Sequence, residues 1–132
     1  MQTNTEMEEA NKAVVLDVLD RIFTHNDPTV LDEHPGLTET VKMMSRRAAA
    51  FPDLTMRVET VIADGDRVSY FVRCKGTHLG DFAGVPATGK SIEYQAIGMD
   101  RLESGRIVEH HATADFLGVL VQLEALPLKP SR

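Results

Sequence analysis

The tight turn Ser104-Gly105 constrains the fold of this chain most, because a two-residue turn of this kind joins the two strands of a hairpin. The segments 91–102 and 106–116 are therefore predicted to be antiparallel strands of one hairpin. A two-residue turn also fixes their register, so that Glu103 faces Arg106. Since side chains alternate along a strand, one face is predicted to carry the pairs Leu102/Ile107, Asp100/Glu109, Gly98/His111, Ala96/Thr113 and Tyr94/Asp115.

The middle of this face is predicted to be hollow, because Gly98, Ala96 and Thr113 are small residues. Its deep end carries Tyr94 and Asp115, whose polar groups lie at the bottom of the predicted volume. Concave, mostly apolar volumes with a few polar groups are typical of small-molecule sites. The pattern therefore predicts a pocket for an apolar small-molecule ligand or substrate.

The opposite face of the same hairpin is also apolar, and a sheet that is apolar on both faces has to be covered on both. The helices of this chain can cover only one face. A partner subunit would cover the other, which predicts a homodimer through the outer face; the alternative is that the C-terminal segment folds over it. The predicted interface consists of Ile97, Met99, Val108 and Ala112, and His110 is predicted to lie on the same outer face.

Helical periodicity precedes the strands, and this order predicts an α+β fold. Apolar residues recur at helical spacing over 7–23, and a second helix is predicted from Thr38 to the break at Pro52. A further hairpin turn is predicted at Asp64-Gly65. After the last strand, residues 118–126 are predicted to form a short helix or to extend the strand.

Length and charge limit the classes to which the protein can belong. With 132 residues, one domain is predicted over 1–132, with frayed ends at about 1–6 and 127–132. Lys and Arg number 14 against 20 Asp and Glu, a net charge of −6, which disfavours nucleic acid and anionic membranes as partners. No apolar run predicts a membrane span, and no signal peptide is predicted. The single Cys74 cannot form an internal disulfide, so a cytoplasmic location is predicted, and no metal-ligand spacing predicts a metal site.

Three motifs in the C-terminal two thirds of the chain occur together in one known family. Residues 51–54 read FPDL, and residues 76–90 read GTHLGDFAGVPATGK. Residues 101–110 read RLESGRIVEH and are followed by Asp115. In this combination the chain resembles the SnoaL-like polyketide cyclase (ester cyclase) family of the nuclear-transport-factor-2-like superfamily, over about residues 8–126.

The resemblance implies a cone-shaped α+β fold, in which a curved antiparallel sheet wraps around N-terminal helices, encloses an apolar pocket and dimerises through its outer face. It also implies an enzyme that closes a polyketide ring by an intramolecular aldol step without a cofactor. The acidic residue that serves as acid/base near the end of the last strand in characterised cyclases corresponds to Asp115. The chain departs from the family at two places. Family members usually have a longer segment where this chain has only residues 31–37, and they usually have Trp where this chain has His111.

Asp115 is the first candidate for a catalytic acid/base, because an apolar pocket favours the protonated carboxyl group. The alternative is that it bonds to Tyr94 or caps the following helix. His111 is predicted to contact another part of the ligand or only to fill space, since four residues of strand, roughly 13 Å, separate it from Asp115. Tyr94 would hold a carbonyl or orient Asp115, or be an ordinary core residue. The other predicted pocket residues are Ala96, Gly98, Thr113, His78, Phe82 and Phe116; His78 is also explained by bonds to the loop backbone.

Three functions remain open at this point. The first is a cofactor-free enzyme of the cyclase or isomerase type that acts on a hydrophobic, polyketide-like carbonyl compound through Asp115. The second is a non-catalytic binder of an apolar small molecule, and the third is a dimeric structural module with a filled core. The short segment 31–37 favours the second and third functions, whereas the acidic residue at position 115 favours the first.

Overall fold

Four antiparallel strands in the order β1-β2-β3-β4 form the sheet of this protein, in a computed structural model that describes residues 4–38 and 40–126. The predicted turn Ser104-Gly105 is confirmed: both residues have positive φ, 50° and 75°, as a type I′ turn requires. The strands are β1 (Thr55–Asp64), β2 (Arg67–Thr77), β3 (Ser91–Glu103) and β4 (Arg106–Ala114).

Helices precede and follow the sheet, and the predicted α+β class is confirmed. Residues 4–6, which we expected in a frayed end, are helical, and the remainder of both predicted frayed ends lies outside the described residues. No helix among the described residues is long and apolar enough to cross a membrane. The helical elements are α1 (Asn4–Phe23), the one-turn α2 (Val30–Glu33), a 3₁₀ turn (Pro35–Leu37), α3 (Thr40–Ala50) and α4 (Phe116–Gln122).

The hydrophobic core lies between the helices and one face of the sheet, which we call the inner face. α1 packs against β1 and β2 along this face. Every second residue of β2 points into the core, as the alternation of its sequence predicts. The buried residues of this region include Val15, Val18, Leu19 and Ile22 of α1 and Val68, Tyr70, Val72 and Cys74 of β2.

The predicted register of the last hairpin holds only beside the turn, and beyond it the prediction is wrong. Leu102 pairs with Ile107 as expected, but Arg101 then pairs with Glu109. Val108 is therefore an extra residue, a β-bulge, and every later residue of β4 moves to the opposite face. The observed pairs are Asp100/His110, Met99/His111, Gly98/Ala112, Ile97/Thr113 and Ala96/Ala114.

The segment that precedes α3 packs directly against this bulge. A Cβ atom on Gly36 would lie 2.7 Å from the backbone carbonyl carbon of Val108, so only glycine permits this approach. The buried His34 accepts a hydrogen bond at Nδ1 from the backbone N–H of Ile107, over 3.1 Å. The strand on the N-terminal side of the bulge is thus held by the 3₁₀ turn region.

Gly98 makes room for the ring of Tyr70 on the neighbouring strand. A Cβ atom at position 98 would lie 2.3 Å from both Cζ and the hydroxyl oxygen of Tyr70, which is itself buried. We expect Gly98→Ala to lower the free energy of unfolding by about 1–3 kcal/mol through overpacking, as measured by urea denaturation. In a Tyr70→Leu background the same substitution should cost less, because the ring that it meets is gone. An equal cost in both backgrounds would contradict this clash.

His34 is expected to make stability depend on pH. Burial lowers the pKa of its imidazole below 6.5, because desolvation disfavours the charged form. As the pH falls, His34 therefore takes up a proton in the unfolded chain before it does so in the folded chain. The stability that the neutral imidazole contributes is fully present above the pKa of the unfolded chain and is lost as the pH falls below that pKa. The loss of unfolding free energy between about pH 8 and about pH 5.5 should be larger in the wild type than in His34→Asn, whose amide can accept the same hydrogen bond without titrating. Equal losses would show that His34 does not contribute.

Candidate functional site

A cavity of about 270 Å³, which we call the inner cavity, lies between helices α1 and α3 and the inner face of the sheet. Small side chains from β3 and β4 leave this volume, and a few polar groups interrupt its apolar wall. Such a composition is typical of sites that bind small organic molecules. The lining residues are Leu19, Ile22, Phe23, Met43, Arg47, Tyr70, Tyr94, Ala96, His110, Ala112, Thr113, Ala114 and Phe116.

His110 and Asp100 form a hydrogen-bonded pair at the wall of the inner cavity. Nδ1 of His110 lies 2.5 Å from Oδ1 of Asp100, and the two residues pair directly across β3 and β4. The side chain of Asp100 is 2% exposed and that of His110 is 16% exposed. When the carboxylate accepts the Nδ1 proton, Nε2 becomes the ring nitrogen that can take a proton from a ligand. The pair therefore has the arrangement of a base and the carboxylate that orients it.

Arg47 brings a positive charge to the inner cavity from α3. Its guanidinium carbon lies 4.3 Å from the centroid of the Phe23 ring, and Nη2 donates a long hydrogen bond of 3.4 Å to the carbonyl of Ile22. Burial lowers the pKa of the guanidinium, because desolvation disfavours its charged form. Arginine nevertheless stays protonated in proteins, so this charge lies against a mostly apolar wall.

A row of aromatic rings closes one end of the inner cavity. The ring centroids of Tyr94 and Phe116 are 5.4 Å apart, those of Phe116 and Phe82 are 5.4 Å apart, and those of Phe82 and Phe51 are 5.2 Å apart. Tyr94 and Phe116 line the cavity, whereas Phe82 lies behind Phe116. Burial raises the pKa of Tyr94, so its hydroxyl keeps its proton and can donate a hydrogen bond.

Asp115 lies outside the inner cavity, at the start of α4. Its Oδ1 accepts a 2.8 Å hydrogen bond from the backbone N–H of Gly118, so Asp115 is the N-cap of this helix. The residue is exposed and borders an open depression of about 730 Å³, which is lined mainly by polar and charged residues of β1, β2 and β3. The predicted pairing of Asp115 with Tyr94 is not formed, because the bulge places Ala114 opposite Ala96 and β4 ends there.

The bulge also exchanges the two adjacent histidines with respect to the prediction. His110, predicted on the outer face, lines the inner cavity, whereas His111, predicted in the pocket, is exposed opposite Met99. Thr113 lies opposite Ile97 and borders both the inner cavity and an outer depression of about 400 Å³. One extra residue in the strand accounts for these changes.

Of three further residues that were predicted in the pocket, one lines the inner cavity and two do not. Ala96 lines the inner cavity, whereas the space above Gly98 is taken by the ring of Tyr70. His78 is fully buried in the loop after β2, where its Nδ1 accepts a 3.2 Å hydrogen bond from the backbone N–H of Thr88. His78 therefore holds the loop and is not among the residues that line the cavity.

Sequence reasoning missed Asp100, His110 and Arg47 as site residues. A signal for the first two existed, because the unbulged register opposed the acids Asp100 and Glu109, and like charges in cross-strand contact are unfavourable. With the bulge, Glu109 instead pairs with Arg101 at 3.1 Å. Arg47 had no such signal. Among residues 4–38 and 40–126, no group of three or more His, Cys, Asp or Glu side chains is arranged to hold a metal ion.

Solved structures share this architecture. AclR, a hydroxylase candidate from Streptomyces galilaeus, superposes with a TM-score of 0.80 and 27% identity, over 89% of this chain and 97% of that chain. A SnoaL-like polyketide cyclase candidate from Jannaschia sp. CCS1 superposes with a TM-score of 0.77, over 96% of this chain and 100% of that chain. At 23% identity, this second likeness shows the fold alone.

Sequence comparison agrees with the structural likeness. This chain is 38% identical over 48 residues to the aklanonic acid methyl ester cyclase DnrD of Streptomyces peucetius. The aligned part covers 36% of this chain and only 33% of that relative. The family model described as SnoaL-like polyketide cyclase matches residues 2–123, nearly the whole chain. The chain therefore belongs to the SnoaL-like polyketide cyclase family, as its motifs predict.

Proposed function

We propose that this protein transfers protons on a small apolar carbonyl compound bound in the inner cavity, as a cyclase or isomerase, with His110 as the base. The observation that carries this proposal is the 2.5 Å contact between His110 Nδ1 and the buried Asp100 at the cavity wall. A histidine oriented by a carboxylate is well suited to accept and return a proton near neutral pH.

The proposed reaction begins when Nε2 of His110 takes a proton from a carbon next to the carbonyl group. The electrons of the broken C–H bond pass to the carbonyl oxygen and form an enolate, while Asp100 stabilises the new imidazolium charge. In a ring closure, the enolate carbon bonds to a second carbonyl carbon of the same molecule. The resulting alkoxide then takes the proton back from His110, so the base is restored.

The names of the relatives do not settle the reaction. DnrD is a cyclase by name, whereas the structurally similar AclR is described as a candidate hydroxylase. Because one fold can carry unrelated chemistries, the proposal rests on the His110–Asp100 pair rather than on either name. The earlier candidate, Asp115, stays a prediction; its helix-capping hydrogen bond and its exposure favour His110 over it.

The two assignments can be separated by measuring proton exchange directly. With 2-tetralone as the probe, NMR in D₂O follows deuterium entering the carbon next to the carbonyl, and no product has to be known. We expect His110→Gln to reduce the protein-catalysed rate by about 100-fold or more, since general bases contribute on this order. Asp115→Asn is the matched control and should keep the rate.

Three results would contradict this proposal. An unchanged rate in His110→Gln would exclude His110 as the base, and a lost rate in Asp115→Asn with retained folding would restore the first candidate. Binding of 2-tetralone to the wild type without any exchange would favour the alternative of a non-catalytic binder. Far-UV circular dichroism and thermal unfolding of each variant check that the fold is intact.

We propose in addition that the protein is a homodimer through the outer face of the sheet. Ile97 and Met99 lie there as predicted, 51% and 38% exposed, and Phe71 lies beside Ile97 on β2. Ala112, which was predicted in this interface, lines the inner cavity instead, and Val108 is the bulged residue. The revised interface is therefore centred on β2 and β3.

A charge at the centre of this face should separate the subunits. We expect Ile97→Glu to shift the protein from dimer to monomer in sedimentation equilibrium, because an unpaired charge buried in an interface is costly. Leu79→Glu is the control, since Leu79 is equally exposed, at 54%, but lies in the loop after β2. A dimer that persists in Ile97→Glu, or a monomeric wild type, would refute the interface.

A further inference from the structure

Two buried polar groups of the inner cavity are poorly hydrogen-bonded among the described residues. Nε of Arg47 has no partner there, and the hydroxyl of Tyr94 has only the weakly hydrogen-bonding thiol of Cys74 beside it, although the residues are only 8% and 6% exposed. Nearly all buried polar groups in folded proteins are paired, and an orphaned one calls for an explanation. Both residues line the same cavity, so a single bound group can account for both.

The surroundings of Arg47 lack a counter-ion. Among residues 4–38 and 40–126, its charge interacts with the Phe23 ring, with the Ile22 carbonyl through the long hydrogen bond, and with the neighbouring side chains of Tyr94 and Cys74. Burial raises the pKa of Tyr94 and of Cys74, so neither supplies a negative charge. A buried cation without an anion destabilises the fold, and the missing anion is what a ligand can provide.

We infer that Arg47 and Tyr94 form an anion-binding subsite, and that the ligand of the inner cavity is a compact apolar acid whose carboxylate accepts hydrogen bonds from both. Guanidinium groups bind carboxylates through paired hydrogen bonds, and the phenol adds a third donor. This inference deepens the proposed function by naming the charge of the substrate, and it rests on that function only for the use of the same cavity.

Arg47, Tyr94 and His110 all line the inner cavity. A ligand whose carboxylate is bound at the subsite therefore lies in the same volume as the proposed base. At about 270 Å³, the cavity admits a compact molecule of this kind.

The test compares 2-naphthoate with methyl 2-naphthoate, which differ in charge at nearly equal size, by calorimetric titration near neutral pH. The wild type should bind the acid at least 10-fold more tightly than the ester. Arg47→Met should weaken the acid by about 10- to 100-fold, the range expected for a hydrogen bond to a charged group, and leave the ester unchanged. Tyr94→Phe should weaken the acid by a smaller factor. Arg46→Met is the matched control at an exposed arginine and should change neither affinity.

A purely structural role of Arg47 predicts the opposite pattern. If Arg47 serves only to hold the end of α1 through Ile22, Arg47→Met lowers Tm and leaves the ratio of acid to ester affinity as it was. If Arg47 instead serves to bind a ligand, Arg47→Met without ligand should have the same Tm as the unliganded wild type or a higher one, because the substitution removes an unpaired buried charge. Arg47→Lys keeps the charge and should keep the preference for the acid.

The outcomes are decisive in both directions. Equal affinity of the wild type for acid and ester, including no measurable binding of the acid, overturns the inference, as does an Arg47→Met variant that keeps the preference. Because every readout here is binding or Tm, the result does not depend on turnover. Loss of the proposed catalysis in the exchange experiment would therefore leave this inference standing, and the reverse also holds.

Discussion

The β-bulge at Val108 determines which side chains of β4 face the core, and the candidate site depends on it. Side chains alternate along a strand, so one inserted residue turns every later residue to the other face. His110 thereby reaches the buried Asp100, whose carboxylate would otherwise be unpaired in a nearly dry environment. Glu109 at the same time moves next to Arg101 on the outer face. Charge pairing on both faces thus favours the bulged register over the regular one.

Polar groups are buried at the inner cavity in two different ways. Asp100 and His110 are hydrogen-bonded to each other, so each of the two groups has a partner. Arg47 is also enclosed, but its Nε has no hydrogen-bond partner among the described residues. A chain selected for stability alone would have apolar residues at such positions, since replacing buried unpaired charges by hydrophobic side chains is often stabilising. The cavity therefore gives up some stability where a ligand can restore it, a trade-off common at functional sites.

Sequence patterns predicted the helices and strands of this fold well. They predicted poorly which side chains of the last strand point to the inner face of the sheet. The I′ turn at Ser104-Gly105 and the alternation of β2 follow from local rules, and both are observed. The bulge follows from tertiary contacts, because Gly36 packs against Val108 from a distant part of the chain. Arg47 could not be predicted as a site residue, since its burial arises only when α3 packs beside α1. Local periodicity therefore finds strands and helices, while the chemistry of the cavity depends on long-range packing.

The short segment 31–37 connects these observations. The family resemblance predicts a longer segment at this place. Here the segment packs on the bulge, with Leu37 fully buried, and none of its residues lines the inner cavity. The walls come instead from α1, α3, α4 and the sheet, and they enclose about 270 Å³, just below the range of about 300–1,000 Å³ typical of ligand pockets. The segment that packs on the bulge thus helps to keep His110 directed inward without forming part of the cavity wall.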